Sequence, residues 1–150
     1  EESGILFMPL RIEVGRAGGI NLIPIDHCVD VFMAILEDGL DGGIYHIVNP
    51  GATKIETIID HAKRLFRLAG IEACGPEGFG ARPKNVLETL YDAYLDVYRP
   101  YMQDVRTFEV KNAAPALESR GLECPTFSYE LFARCMEYAR ETDWGARFVT

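Results

Sequence analysis

The chain has 150 residues, 48% of them hydrophobic and 25% charged, with a formal net charge of −8. That is enough apolar side chain for one ordinary core and too much for a disordered segment. The acidic balance excludes a nonspecific binder of nucleic acid or of anionic membranes, both of which need clustered Lys and Arg, and no stretch approaches the roughly 18 uninterrupted apolar residues of a membrane span. The four cysteines, Cys28, Cys74, Cys124 and Cys135, form no C-x-x-C pair. No structural metal is expected, and free thiols in a reducing, cytoplasmic setting are the simplest inference, with Cys28 and Cys135 buried inside helices. The apolar run at 4–10 follows Glu1 and Glu2 with no basic leader, unlike a signal peptide. A first residue other than Met reads as a processed product or an excised piece.

Residues 5–14 read as an extended apolar run interrupted by Pro9, followed by a Gly-rich loop over 15–19 and a second extended segment over 21–24. Asp26 has the chemistry of an N-cap for a helix whose Val29, Phe32, Met33 and Leu36 fall at i, i+3, i+4 and i+7, with Gly39 as its stop. Gly43–Val48 is the strongest strand signal in the chain, apolar on both faces as in a covered sheet. After a turn at Asn49-Pro50-Gly51, Thr53 and Glu56 have capping-box spacing. They open a helix with an Ile55, Ile58, Ile59, Ala62, Leu65, Phe66, Ala69 stripe that Gly70 closes. Residues 71–74 suggest a short strand, 75–83 a Gly/Pro loop, and 85–98 a helix ending before Pro100. Residues 108–110 read as irregular and 112–119 as a short helix ending at Gly121. A final helix over 127–141 would turn Phe127, Leu131, Cys135 and Tyr138 inward. The order suggests an α/β fold with a few sheet strands backed by helices and a helical tail.

The usual catalytic and nucleotide-binding patterns are absent. Gly75-Pro-Glu-Gly78-Phe-Gly80 lacks the G-x-G-x-x-G spacing and carries Pro76, so it reads as a surface loop. No Lys precedes Ser or Thr, which removes a P-loop. None of the seven tyrosines is followed four residues later by Lys, the spacing that brings an ammonium to a phenol and lowers its pKa. His27, His46 and His61 each read as structural. His46 is the most interesting of them, because it lies near a strand's C-terminal end, where open α/β sheets place ligands. Asp26 and Asp30 read as a cap and a solvated carboxylate. Tyr91, Tyr94, Tyr98 and Tyr101 form an aromatic stripe, ordinarily core or interface, with the wall of an apolar substrate site as the alternative.

Taken together, several segments resemble a known family. The run Asn21–Leu36, in which an extended segment meets an Asp-capped helix, is similar to a segment of extended short-chain dehydrogenases/reductases of the NAD-dependent epimerase/dehydratase superfamily. Gly43–Pro50 resembles the strand that follows it there, and Thr53–Ala69 the next helix. Tyr98–Tyr101, Arg106–Phe108, Asn112 and the helix after Pro125 resemble the tail of the branch that holds fatty acyl-CoA reductases, thioester reductases and "male sterility" proteins. Nucleotide-sugar epimerases share the first half of the pattern. The resemblance spans residues 5–142.

The resemblance implies that residues 1–150 form a single domain, the substrate-side, C-terminal portion of a Rossmann-type enzyme more than twice as long. The N-terminal Rossmann half of the same protein would then be its partner and would hold NAD or NADP and the Tyr-x-x-x-Lys pair. No cofactor is expected on this chain alone, no catalytic residue carries over, and the chain alone is expected to be inactive. The loop before Asp26, His46, Asn49, Pro50 and Arg82 fall where relatives face the cleft, with Tyr91 and Tyr94 as candidates for an apolar wall. The substrate would be an acyl thioester or aldehyde, or a nucleotide sugar whose diphosphate meets Arg82. A homodimer is compatible with the same reading. The rival reading is a stand-alone, non-catalytic binding or interaction domain that kept the lobe and lost the enzyme.

Overall fold

A computed structural model describes residues 4–15, 19–39, 41–102 and 106–148. The expected mixed α/β architecture is present: a small parallel sheet backed by helices, then a helical tail. Strand β1 (Leu6–Glu13) pairs in parallel with β4 (Leu68–Cys74), and two-residue strands β2 (Gly19–Ile20) and β3 (Thr53–Lys54) form an antiparallel bridge. Between β2 and β4 run helices α1 (Ile25–Asp38) and α2 (Ile55–Phe66). After β4 come α3 (Pro76–Gly80), α4 (Val86–Leu95), a 3₁₀ turn at Asp96–Tyr98, α5 (Arg99–Met102), α6 (Ala114–Arg120) and α7 (Tyr129–Glu141). Among the described residues no helix is long and apolar enough to cross a membrane.

β1 is covered on both faces at its C-terminal end, since the consecutive residues Leu10, Arg11 and Ile12 are all buried. Leu10, Ile12, Val14 and Ile71 form one core with Ile55 and Ile59 of α2, against which Leu87 and Tyr91 of α4 also pack. Its register holds a bulge: Phe7 pairs with Ala69 and Leu10 with Ile71, so Met8 and Pro9 oppose Gly70 alone. Proline has no ladder N–H to lose at such a place. Gly70 has φ +83, and a Cβ there would lie 2.8 Å from the Met8 carbonyl oxygen and from the Phe7 ring. A second core joins Val31, Ala34 and Ile35 of α1 to Ala113 and Ala116, with Tyr45, Ile47, Leu117 and Leu122 packed around it.

Several sequence expectations are corrected. Asp26 does not cap α1: Pro24 occupies the N-cap with extended backbone, and the exposed Asp26 carboxylate accepts the His27 amide at 3.0 Å in the first turn. The buried face of α1 is His27, Val31, Ala34 and Ile35, whereas Val29, Phe32, Met33 and Leu36 are exposed. The small side chain of Ala34 lets α6 approach closely, so packing chose the narrower stripe over the larger one. Gly43–Val48 joins no sheet among the described residues. Thr53 is not a cap either. It pairs with Ile20 in the β2–β3 bridge, and Lys54 precedes the helix. α2 ends at Phe66, where Arg67 takes a left-handed conformation, because the chain beyond it is recruited into β4 beside β1. The segment starting at Asn85 turns into 3₁₀ geometry after Leu95 and continues through Pro100 in α5. On α7 the buried residue is Phe132; Cys135 and Tyr138 are exposed. Of the Gly-rich loop, residues 16–18 lie outside the described residues.

Candidate functional site

The segment 41–51 organises the site. Asp41 starts it: its Oδ1 accepts the Gly43 amide and the Tyr45 hydroxyl, both at 2.8 Å. The Tyr45 hydrogen bond is the main reason the Asp41 carboxyl sits below the usual carboxylate range, and that same bond raises the Tyr45 phenol. Tyr45 and Ile47 pack into the α1–α6 core, while Ile44 is exposed and His46 turns toward 108–110. His46 Nδ1 lies 3.0 Å from the Glu109 carbonyl oxygen, and its ring is 5.3 Å from that of Phe108. A carbonyl can only accept, so Nδ1 carries the proton in this arrangement. Asn112 Nδ2 donates to the Ile44 carbonyl at 2.7 Å, which fixes the other end of the segment.

The turn at Asn49 is tied to the stretch before α1 by a reciprocal pair of asparagines. Asn21 Nδ2 donates to the Asn49 carbonyl at 2.7 Å, and the Asn49 amide donates to Asn21 Oδ1 at 2.9 Å. Asn49 Nδ2 donates to the Leu22 carbonyl, and its Oδ1 accepts the Gly51 amide. The Asn49 side chain is thus committed to holding 21–22 against 49–51. The expected loop before Asp26 and the expected cleft residues His46, Asn49 and Pro50 do come together.

Two adjoining grooves flank this segment. One, of about 270 Å³, is lined mainly by apolar side chains (Val31, Ile47, Val48, Pro50, Val110, Leu117, Leu122) together with His27, His46, Glu123 and Cys124. The other, of about 470 Å³, adds polar groups: Asn21, Asn49, Arg106 and Thr107, beside Tyr101 and Phe108. Val48, Pro50 and Val110 line both. Burial pushes the Cys124 thiol up, so it is protonated at neutral pH and suits a pocket wall better than a nucleophile. The first groove is walled almost wholly by apolar side chains, and the second mixes apolar walls with a few polar groups.

Arg82, Tyr91 and Tyr94 are not brought to these grooves. Arg82 lines a different groove, with Arg11, Glu72 and Glu88, and its carbonyl accepts Arg11 Nη2 at 3.2 Å. Tyr91 packs on the sheet core, which raises its phenol through burial, and Tyr94 is 74% exposed. The aromatic stripe is split: Tyr91 faces the core while Tyr94 and Tyr98 are exposed, and Tyr101 alone of the four lines the second groove.

Sequence reasoning missed the most buried charge pair. Glu88, 2% exposed, accepts Arg11 Nε at 2.7 Å, Nη2 at 2.8 Å and the Arg11 amide at 3.0 Å. It also accepts the Asn85 amide, while Asn85 Oδ1 accepts the Glu88 amide, a capping box whose Asn-x-x-Glu spacing was readable in the sequence. Asn85 Nδ2 reaches the Pro9 carbonyl, so the start of α4 is clamped to the β1 bulge. Arg99 bonds Glu13, Asp92 and Asp96, and Lys84 pairs with Asp92. Burial works against the Asp92 charge, but these cations outweigh it and hold the carboxyl low.

The residues present do not fit a dinucleotide. Among the described residues, a glycine follows a parallel strand and opens a helix at Cys74–Gly75–α3, but α3 has five residues and Pro76 in its first turn, which removes a donor. Among the described residues no group of three or more His, Cys, Asp or Glu could hold a metal ion.

No protein-family model matches the sequence, and no curated protein matches it. Among solved structures, the chain is similar to the terminal R domain from the myxalamid PKS-NRPS biosynthetic pathway, at 14% identity and a TM-score of 0.57. The match covers 85% of this chain and 34% of that one, so the chain spans about a third of the R domain's length and shares its fold over that portion.

Proposed function

We propose that this chain is the substrate-side part of an NAD(P)-dependent reductase of the extended short-chain dehydrogenase/reductase type. The dinucleotide and the catalytic Tyr-x-x-x-Lys pair belong to a further portion of the same polypeptide. The observation that carries this reading is the fold shared with an R domain over 85% of this chain but only 34% of that domain. The family resemblance of Asn21–Leu36, Gly43–Pro50 and Thr53–Ala69 points the same way, as does the poor fit of the residues present to a dinucleotide.

The substrate is an acyl thioester or the corresponding aldehyde. The apolar groove beside His46 takes its hydrocarbon end, and the wider groove beside Asn49 takes its polar end. Arg82 lies in a separate groove, which weakens the case for a nucleotide sugar.

The test is to isolate the native gene product with antibody raised to this chain, measure its mass, and assay it for NAD(P)H oxidation with acyl thioesters. A product well above 16.8 kDa that reduces an acyl thioester is expected. A product of 16.8 kDa would overturn the reading in favour of an interaction protein. A longer product that binds only nucleotide sugars would overturn the substrate.

A further inference from the structure

We propose that the groove at the C-terminal end of α2 binds an organic phosphate, a phosphate monoester carried on an apolar body. The groove shares no lining residue with the two beside His46, and the inference does not depend on the reductase reading. It encloses about 450 Å³, and its walls include Ile5, Leu68 and Ala69 together with Lys63, Arg64 and Arg67. Three cations thus line one cavity with no carboxylate among its walls, in a chain whose net charge is −8. By contrast, Arg11, Lys84, Arg99 and Arg120 each meet carboxylates. Here the matching is loose. Lys63 Nζ lies 3.8 Å from Asp60 Oδ1, on a side chain that is 74% exposed. Arg67 pairs with no carboxylate among the described residues.

The ordinary reason for cations at a helix end covers two of the three. Lys63 and Arg64 lie in the last turn of α2, where the helix dipole favours positive charge. Arg67 lies past that turn, with left-handed backbone at φ 53 and ψ 51. Glycine is the usual residue at such a helix end, because a side chain there is strained. The arginine is also held in place: its amide bonds the Lys63 carbonyl, and its carbonyl accepts the Leu6 amide at 2.9 Å where the β1–β4 ladder begins. The Arg64 guanidinium lies 3.5 Å from the centre of the Tyr129 ring, a contact that orients it without neutralising it. Three cations within five residues suit a phosphate dianion better than a single carboxylate, and guanidinium groups match phosphate oxygens in pairs. Ile5, Leu68 and Ala69 supply the wall that an apolar body would cover. The groove has no aromatic wall on which a nucleotide base would stack.

Titration calorimetry of the native gene product with hexyl phosphate tests this, with hexanol and inorganic phosphate as separate arms. Hexyl phosphate should bind saturably and more tightly than either arm, and its affinity should fall as salt is raised. Lys63→Gln should weaken binding roughly tenfold. Arg67→Gly should weaken it at least as much while the urea midpoint stays the same or rises, because glycine relieves the left-handed strain. An arginine with a purely structural role would instead lower the midpoint and leave binding unchanged, which overturns the site. Co-sedimentation with phosphatidylcholine vesicles containing phosphatidic acid, lost in Arg67→Gly, would make a lipid headgroup the source of the phosphate; hexyl phosphate binding without sedimentation would make it a soluble ester. The site is overturned if hexyl phosphate does not bind, if hexanol or inorganic phosphate binds as tightly, or if neither variant changes the affinity. Binding that emerges only after Glu1 and Glu2 are changed to Gln also overturns it, in favour of a groove neutralised by the chain's own carboxylates.

Discussion

Replacing Glu88 by Gln tests how the sheet is joined to α4. The carboxylate is 2% exposed and receives four hydrogen bonds, three from Arg11 and one from the Asn85 amide. The Arg11 guanidinium is the main reason its carboxyl titrates at about 2 instead of 4.5. A carboxyl held that low corresponds to roughly 3 kcal/mol at neutral pH. Removing one partner of a buried pair typically costs about 3–5 kcal/mol, because the remaining charge is stranded. Glu88→Gln should therefore lose about 3 kcal/mol in urea unfolding at pH 7, a large share of the roughly 5–15 kcal/mol that holds a domain together. The sign with pH follows from the lowered pKa. The stabilisation is fully present above the unfolded value of 4.5 and is lost as pH falls toward 2, so wild type and variant should converge over that window. A difference below about 1 kcal/mol at pH 7, or one that stays constant down to pH 2, would refute the buried-pair account.

Four further outcomes are expected of the chain. Gly70→Ala should lower the melting temperature by several degrees, because φ +83 and a 2.8 Å approach to the Met8 carbonyl combine strain with a clash of about 1–3 kcal/mol. On α1, Phe32→Lys should change unfolding free energy by no more than about 0.5 kcal/mol, whereas Ala34→Lys, at a site 2% exposed, should prevent cooperative folding; the reverse order would restore the face read from periodicity. Asn49→Ala removes the side-chain bonds to Leu22 and Gly51 and should cost about 1–2 kcal/mol, with faster amide exchange at Gly51. Iodoacetamide at neutral pH should label the exposed Cys135 well before Cys74 and Cys124, whose thiols are raised by burial, as peptide mass spectrometry would show.

The cleft residues were read from the family resemblance and not from short-range chemistry. The resemblance set the loop before Asp26 and His46–Pro50 beside a cleft, and in the structure the paired asparagines Asn21 and Asn49 hold those two stretches together. Arg82 and Tyr94 were not separable from these residues by sequence, since their positions depend on where α4 docks against β1. Nothing local in Val110, Leu117, Leu122 or Cys124 announces a groove wall; they become one only when α6 packs on α1.

Composition, apolar periodicity and turn residues by themselves determined that the chain folds as α/β, where most helices lie, and that neither a P-loop nor a Tyr-x-x-x-Lys pair is present. These are local properties, fixed by backbone preference and by which side chains sit a few residues apart. Tertiary structure alone decided which face of α1 is buried, that Thr53 joins a bridge and not a cap, and that Leu68–Cys74 leaves the helix to pair with β1. It also left Gly43–Val48 without a ladder among the described residues. Each of these depends on a partner distant in sequence, and an apolar period states only that a face wants covering, not which of two faces finds a cover.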